Sequence, residues 1–161
     1  MEQDAAGKGI GLNRYSINES FASEIDAWDG VELKTFNVGT TSEALQSIGV
    51  DNRNIVWRAG KIATILNKHN GMTKEVIKQV PNILEYPIIV LESKQSKSRI
   101  LIFGEVYDQN NVPVTAVLEL KPTNKGGELL NLNVMASAYG KDNVANFIKT
   151  SNVLYLDPQK K

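Results

Sequence analysis

Cysteine is absent from this chain, and histidine occurs once, at His69. The first absence excludes disulfides, thiolate nucleophiles and any cysteine-based zinc or iron–sulfur centre, while leaving the compartment open. The second excludes a multi-histidine metal site. Charge of one sign is also missing: 18 basic residues balance 18 acidic ones. Bulk electrostatic attraction to nucleic acid or membrane relies on excess lysine and arginine, so it is not expected, although a local basic patch is compatible with the balance. No apolar run approaches the ~20 residues that a membrane helix needs. The longest runs only from Pro87 to Leu91, which suits a buried strand.

What remains is ordinary for a globular protein. Hydrophobic residues make up 42% of the 161 positions and charged ones 22%, which argues against global disorder. The length fits one domain. The opening M-E-Q-D-A-A-G-K-G-I-G-L-N carries three glycines and lacks the basic-then-apolar order of a signal peptide. Its G-K-G-I-G has the glycines of a phosphate loop without the preceding strand or the G-K-[ST] ending. The expectation is a linker over residues 1–13 and a single domain over 14–161, cut from a longer polypeptide.

Four helices are expected first. Ser16 and Glu19 have capping-box spacing, and Phe21, Ile25 and Trp28 follow at helical intervals before Gly30. Thr40 and Glu43 repeat that spacing ahead of Leu45, Ile48 and the stop at Gly49. Ile62, Ile65 and Leu66 mark a third helix over 58–68, ended by the polar turn N-K-H-N-G, in which Gly71 offers a left-handed position. Thr73 starts a fourth, with Pro81 as its stop. From Tyr86 the period becomes two. Four strand-like segments, Y-P-I-I-V-L-E-S, R-I-L-I-F-G-E-V-Y, P-V-T-A-V-L-E-L-K and L-L-N-L-N-V-M-A-S-A-Y, are joined by turns rich in Asn and Gly. A helix over 142–149, capped by Asp142, and a fifth strand N-V-L-Y-L-D close the chain. Such short connections favour antiparallel neighbours. The fold class is α+β, with N-terminal helices packed on one face of a small antiparallel sheet of about four to five strands.

Alternation then sorts side chains by face. Val114, Ala116, Leu118 and Leu120 share one face with Leu130, Leu132, Val134, Ala136 and Ala138. Thr115, Val117, Glu119 and Lys121 lie opposite, with Asn131, Asn133, Met135, Ser137 and Tyr139. Antiparallel sheets commonly have one wet face with no role beyond solubility. Asn, Asn, Ser and Tyr in alternation, however, are mid-length hydrogen-bonding groups able to hold a phosphodiester or a base edge. His69 likewise has two readings: most simply an incidental surface residue of a polar turn, or a proton carrier, since histidine is the residue type suited to passing protons near neutral pH. Glu92, Glu105 and Glu119 fall on successive strands, but alternation scatters them and no metal site is expected.

Five segments taken in order, R-Y-S-I-N-E-S-F-A-S-E-I-D-A-W, V-G-T-T-S-E-A-L-Q-S-I-G, K-H-N-G-M-T-K-E-V-I-K-Q-V-P-N-I-L-E-Y-P-I-I-V-L-E-S, S-A-Y-G-K and V-L-Y-L-D-P-Q-K-K, make the chain resemble the C-terminal domain of phage MuF-type proteins. That domain is the phage branch of the barnase–EndoU–colicin–RelE-like nuclease group. The resemblance spans Arg14 to Lys161 and rests on the order and spacing of all five segments. It implies a metal-independent, cofactor-free ribonuclease, carried as a toxin or effector module on a larger phage or mobile-element protein. Its site residues would be His69, Ser137, Tyr139 and Lys141.

RNA supplies its own nucleophile, the 2′-hydroxyl. On this reading His69 is the general base or acid, and Lys141, with Lys121, neutralises developing phosphate charge. Ser137 and Tyr139 hydrogen-bond the phosphate, or Tyr139 stacks on a base. The second proton carrier is Glu119 or Tyr139. Thr115, Glu119, Lys121, Asn131 and Asn133 are the expected substrate contacts. The expected partners are RNA, tRNA or a ribosome-associated species among them, and an immunity protein, with no membrane. The expected location is the cytoplasm of a bacterial host, reached directly or by delivery within a larger protein. Two other readings stay open: a catalytically silent module that binds RNA or protein, which zero net charge favours, and an ADP-ribosyl-transferring toxin, which needs an Arg or His on one strand and a Glu on another.

Overall fold

A computed structural model describes residues 18–158. The expected linker over 1–13, the expected cap Ser16 and the closing lysines lie outside the described residues. The first helix, α1 (Glu19–Ala27), is capped by Asn18, whose side chain accepts the Phe21 amide. This satisfies one of the amide donors that every helix start leaves open. Next come β1 (Thr35–Thr40), α2 (Glu43–Gln46), β2 (Asn54–Arg58), α3 (Ala59–Lys68), α4 (Lys74–Ile77) and α5 (Val80–Glu85). The rest is β3 (Ile89–Glu92), β4 (Arg99–Tyr107), β5 (Pro113–Glu119), β6 (Asn133–Gly140), α6 (Val144–Lys149) and β7 (Val153–Leu156).

The sheet has seven strands in the order β1-β2-β6-β5-β4-β3-β7. An antiparallel sheet of about four to five strands is thus corrected in two respects. β1 and β2 add a hairpin in which Phe36, Val38, Ile55 and Trp57 point to the core. Both strands are short, and β1 is broken by a register shift between Asn37 and Gly39, where Gly39 takes φ +129°. Its amphipathic signal is correspondingly brief. The β2–β6 pair is parallel, because the chain leaves β2 through α3 and returns only after two further helices and three strands.

Local chemistry explains three further departures. α2 is capped by Ser42, not Thr40, because the Ser42 side chain accepts the Leu45 amide. Pro81 begins α5 and does not merely end α4: it sits in the first turn, where its missing amide costs no hydrogen bond. Asn143, at φ +59°, precedes α6 in place of the expected Asp142, and makes no side-chain cap.

Helices α1 to α5 cover one face of the sheet. Phe21, Ile25, Leu45, Ile62, Ile65, Ile77 and Ile83 pack there against Phe36, Ile55, Trp57, Ile102, Ala116 and Leu118. Phe21 stacks on Trp57 at 6.2 Å and meets Phe36 edge-on at 5.9 Å. Each such buried side chain stabilises the fold by about 1.5–3 kcal/mol. α6 crosses to the opposite face, where Val144, Phe147 and Ile148 pack on Leu91, Leu101, Phe103 and Val117. The helices therefore do not all lie on one face, and the second face is wet only beyond the reach of α6.

A bulge in β6 redistributes the alternation. Val117 pairs with Ser137 and Leu118 with Met135, leaving Ala136 as an extra residue. Before the bulge, Met135 faces the main core with Leu118; after it, Ala138 does. Asn133 and Met135 therefore belong to the helix-covered side, and Ser137 and Tyr139 to the side of α6. The expected single polar row is split in two by one inserted residue.

Candidate functional site

His69 ends α3 as its C-cap, its amide held by the Ile65 carbonyl. α3 runs beside the end of β6, and the His69 ring lies on the Tyr139 ring with centroids 5.2 Å apart and planes 20° from parallel. Both residues are half-buried. Two residues separated by nearly half the chain are brought into contact by a third, Asp108, in the β4–β5 turn. Its Oδ1 accepts the amides of Asn110 at 2.8 Å and Val112 at 3.0 Å. Its other oxygen lies so close to the Cα atoms of Gly71 and Gly140 that a Cβ on either would overlap it.

The same turn is tied to both neighbours. The Gln109 amide donates to the Gly71 carbonyl at 2.9 Å, and the Lys141 amide donates to the Pro113 carbonyl at 2.8 Å. Gly71 does not take the expected left-handed conformation. Its glycine, like that of Gly140, is required by the close approach of the Asp108 carboxylate.

Beyond Tyr139 lies a cavity of about 150 Å³, lined by Tyr139 and Lys141 with Lys94, Arg99, Leu101, Val117 and Phe147. The Lys141 ammonium sits 4.1 Å from the Phe147 ring centre and that of Lys94 sits 4.7 Å from it. Cation–π contact holds both charges at the wall of the cavity, worth about 0.5–1 kcal/mol each at exposed sites. Neither lysine has a carboxylate partner among the described residues. Arg99 differs: its Nε donates to Glu119 Oε1 at 3.0 Å.

Two titrations are displaced here. Burial alone lifts the Tyr139 phenol above its ordinary value, so its hydroxyl keeps its proton at neutral pH. Burial also pushes the Glu119 carboxyl upward, but hydrogen bonds from Ser98, the Lys121 amide and Arg99 outweigh it, and the group sits below its ordinary value.

The structure thus brings His69, Tyr139 and Lys141 together. Ser137 shares the face of Tyr139, two positions back along β6 and beside Val117. Glu119 and Lys121 line an adjoining concavity. Three expected contacts line neither concavity. Thr115 is opposite Tyr139 on the neighbouring strand but fully buried, and donates to the Ile102 carbonyl at 3.3 Å. Asn133 is buried on the helix side, bonding Thr41 Oγ1 at 3.2 Å and the Asp51 carbonyl at 3.4 Å. Asn131 is exposed ahead of β6.

Sequence reasoning missed Lys94, Arg99, Phe147 and Asp108. The glycine after each of the two clustered segments, K-H-N-G and A-Y-G, was the available signal for a close backbone approach. No group of three or more His, Cys, Asp or Glu able to hold a metal occurs among the described residues. No helix among them is long and apolar enough to cross a membrane.

A family model described as the phage MuF C-terminal domain matches residues 61–161. The matched span is shorter than the expected 14–161 and begins inside α3, yet it includes His69, Asp108, Ser137, Tyr139 and Lys141. No curated protein and no solved structure matches the chain.

Proposed function

The chain belongs to the phage MuF C-terminal domain family, and from that premise we propose that it is a metal-independent endoribonuclease of the barnase–EndoU–colicin–RelE-like kind. The observation that carries this reading is the His69–Tyr139 stack beside a cavity walled by Lys94, Arg99 and Lys141. An imidazole, a protonated phenol and ammonium groups that no described carboxylate neutralises are the parts that a transphosphorylation needs when no metal assists.

His69 accepts the proton of the 2′-hydroxyl as the 2′-oxygen bonds to phosphorus. Lys141 and Lys94 offset the charge that gathers on the equatorial oxygens. As the bond from phosphorus to the 5′-oxygen breaks, Tyr139 donates its proton to the leaving oxygen. Glu119 is the poorer candidate for this step, because it is held ionised and is already engaged by Arg99 and the Lys121 amide. The products are a 2′,3′-cyclic phosphate and a free 5′-hydroxyl. One side of Tyr139 is occupied by His69, which favours hydrogen bonding over base stacking as its role.

The same Arg99–Glu119 pair argues against the ADP-ribosyl-transfer reading. Its two members sit on neighbouring strands as that chemistry requires, but they neutralise each other. A bacterial host cytoplasm, an RNA target and a cognate immunity protein go with the nuclease reading and are proposed with it.

The test is incubation of the purified protein with labelled total RNA and with tRNA in EDTA, beside His69→Ala and Tyr139→Phe. Cleavage that leaves 2′,3′-cyclic phosphate ends, reduced about 10²–10⁴-fold in each variant, supports the proposal. Intact RNA under all conditions, with wild-type protein harmless when expressed in bacteria, refutes it and leaves the silent binding module.

A further inference from the structure

The zero net charge of the chain conceals a strong segregation. Next to the cavity at Tyr139 is a second concavity of about 220 Å³, lined by Arg58, Lys61, Arg99 and Lys121. Beyond it is a broad third one of about 610 Å³, lined by Lys34, Arg58 and Lys61. Arg99 is a shared wall of the first two, and Arg58 and Lys61 are shared walls of the last two. The three therefore adjoin one another in a row from α6 to the start of α3. Among the described residues, Glu119 is the one carboxylate along them, already bonded to Arg99. On another part of the surface a concavity of about 560 Å³ is lined by Glu43, Glu85 and Asp157 and, among the described residues, by no cation.

We infer that this row of adjoining concavities is a phosphate-binding track for single-stranded RNA, in which Lys34, Arg58 and Lys61 hold nucleotides distant from the cleaved bond. The inference rests on the ribonuclease reading for the choice of RNA as the polyanion. Single strands fit and duplexes do not, because the end of the track at Tyr139 is a small cavity walled by α6 and the β3–β4 turn. The aromatic faces along it are engaged already, by His69 on Tyr139 and by two ammonium groups on Phe147. Base stacking therefore contributes little there, and phosphate contacts dominate. Binding of that kind is tolerant of sequence and steeply salt-dependent. Lys34 and Arg58 precede the span matched by the family model, so the N-terminal hairpin of this chain completes the track.

The test is fluorescence anisotropy with a labelled 2′-O-methyl single strand of about 12 nucleotides, within the usual range for single-strand sites. Lacking the nucleophile, the strand reports binding without cleavage. It is compared with its duplex and with polyglutamate. The protein is used as wild type, as Lys34→Gln/Arg58→Gln/Lys61→Gln, and as the charge-keeping Lys34→Arg/Arg58→Lys/Lys61→Arg.

The expected result is tighter binding of the single strand than of duplex or polyglutamate. The neutralised variant should bind at least about tenfold more weakly, with a salt slope shallower by about 2. The charge-keeping variant should match wild type, and all three proteins should melt alike. Wild-type affinity in the neutralised variant, equal binding of duplex, stronger binding of polyglutamate, or equal loss in the charge-keeping variant would each overturn the track. Strand binding without any RNA cleavage leaves the track standing and removes the nuclease. Cleavage of long RNA by wild type and neutralised variant alike does the reverse.

Discussion

The His69 imidazole and the Tyr139 phenol lie face to face, 5.2 Å apart between centroids, and a carboxylate that is not printed in either motif sets the approach. Asp108 fills the space against Gly71 and Gly140 that two methyl groups would otherwise occupy. Gly71→Ala and Gly140→Ala should each cost about 1–3 kcal/mol by overpacking, read from denaturant melts. Combination with Asp108→Ala should recover part of that loss in a double-mutant cycle, because the atom in the way is gone. Strict additivity of the two changes would mean that Asp108 is not what the glycines accommodate.

Asn133 offers a contrasting case. It is 1% exposed and joins β6 to Thr41 and to the Asp51 carbonyl. Asn133→Ala should lower stability by about 1–3 kcal/mol, since it strands buried polar partners, while RNA cleavage per folded molecule stays as in wild type. A selective loss of activity at unchanged melting temperature would return Asn133 to the substrate contacts.

Acid should act through Glu119. Its folded carboxyl sits below the ordinary value of 4.5, so its contribution to stability is complete above that value. It is lost as pH falls through the lower, folded one. Arg99→Gln, which removes one of the groups holding the charge, should raise the Glu119 titration midpoint in carboxyl-carbon NMR. It should also flatten the acid limb of the stability curve. An unmoved midpoint would show that the Ser98 and Lys121 bonds suffice.

Alkali should act through Tyr139. Burial raises its folded value above 10.0, so the unfolded chain ionises first as pH rises. The linked stability is full below pH 10.0 and declines above it. Tyr139→Phe should remove that part of the decline, measured by melts across the alkaline range. A phenol that titrates by absorbance at its ordinary value would contradict the burial described here.

How far could the sequence be read? The mixed α and β composition, α3 with its end at His69, and the five strands from Ile89 onward were legible because their periodicity is long or their turns are marked by Asn and Gly. The hairpin of β1 and β2 was not. Phe36 and Val38, then Ile55 and Trp57, give only two inward residues per strand, and Gly39 interrupts the first. Pro81 was misread because proline is compatible with both the end of one helix and the first turn of the next. At the site, His69, Tyr139 and Lys141 could be named from their motifs. Lys94 and Arg99 could not, since they come from the β3–β4 turn and a neighbouring strand and converge only once the sheet forms. The polar row of β6 was overcounted because alternation assumes an unbroken pleat, whereas Ala136 has no partner on β5.

That unpaired Ala136 makes the sidedness of the strand a matter of residue count more than residue identity. Substitutions along β6 would change what a position offers. Pairing of Ala136 with Val117, which closes the bulge without loss of a residue, would instead turn Ser137 and Tyr139 toward the helix-packed interior and send Ala138 outward. Length changes in the loop before β6, which leave the pairing of 133–140 intact, carry no such penalty. The frame of this one strand is therefore held by its bulge: a one-residue slip of 137–140 against β5 would erase the site while leaving every one of its residues in the chain, whereas loss of Ala136, which keeps Leu118 opposite Met135 and Val117 opposite Ser137, would not.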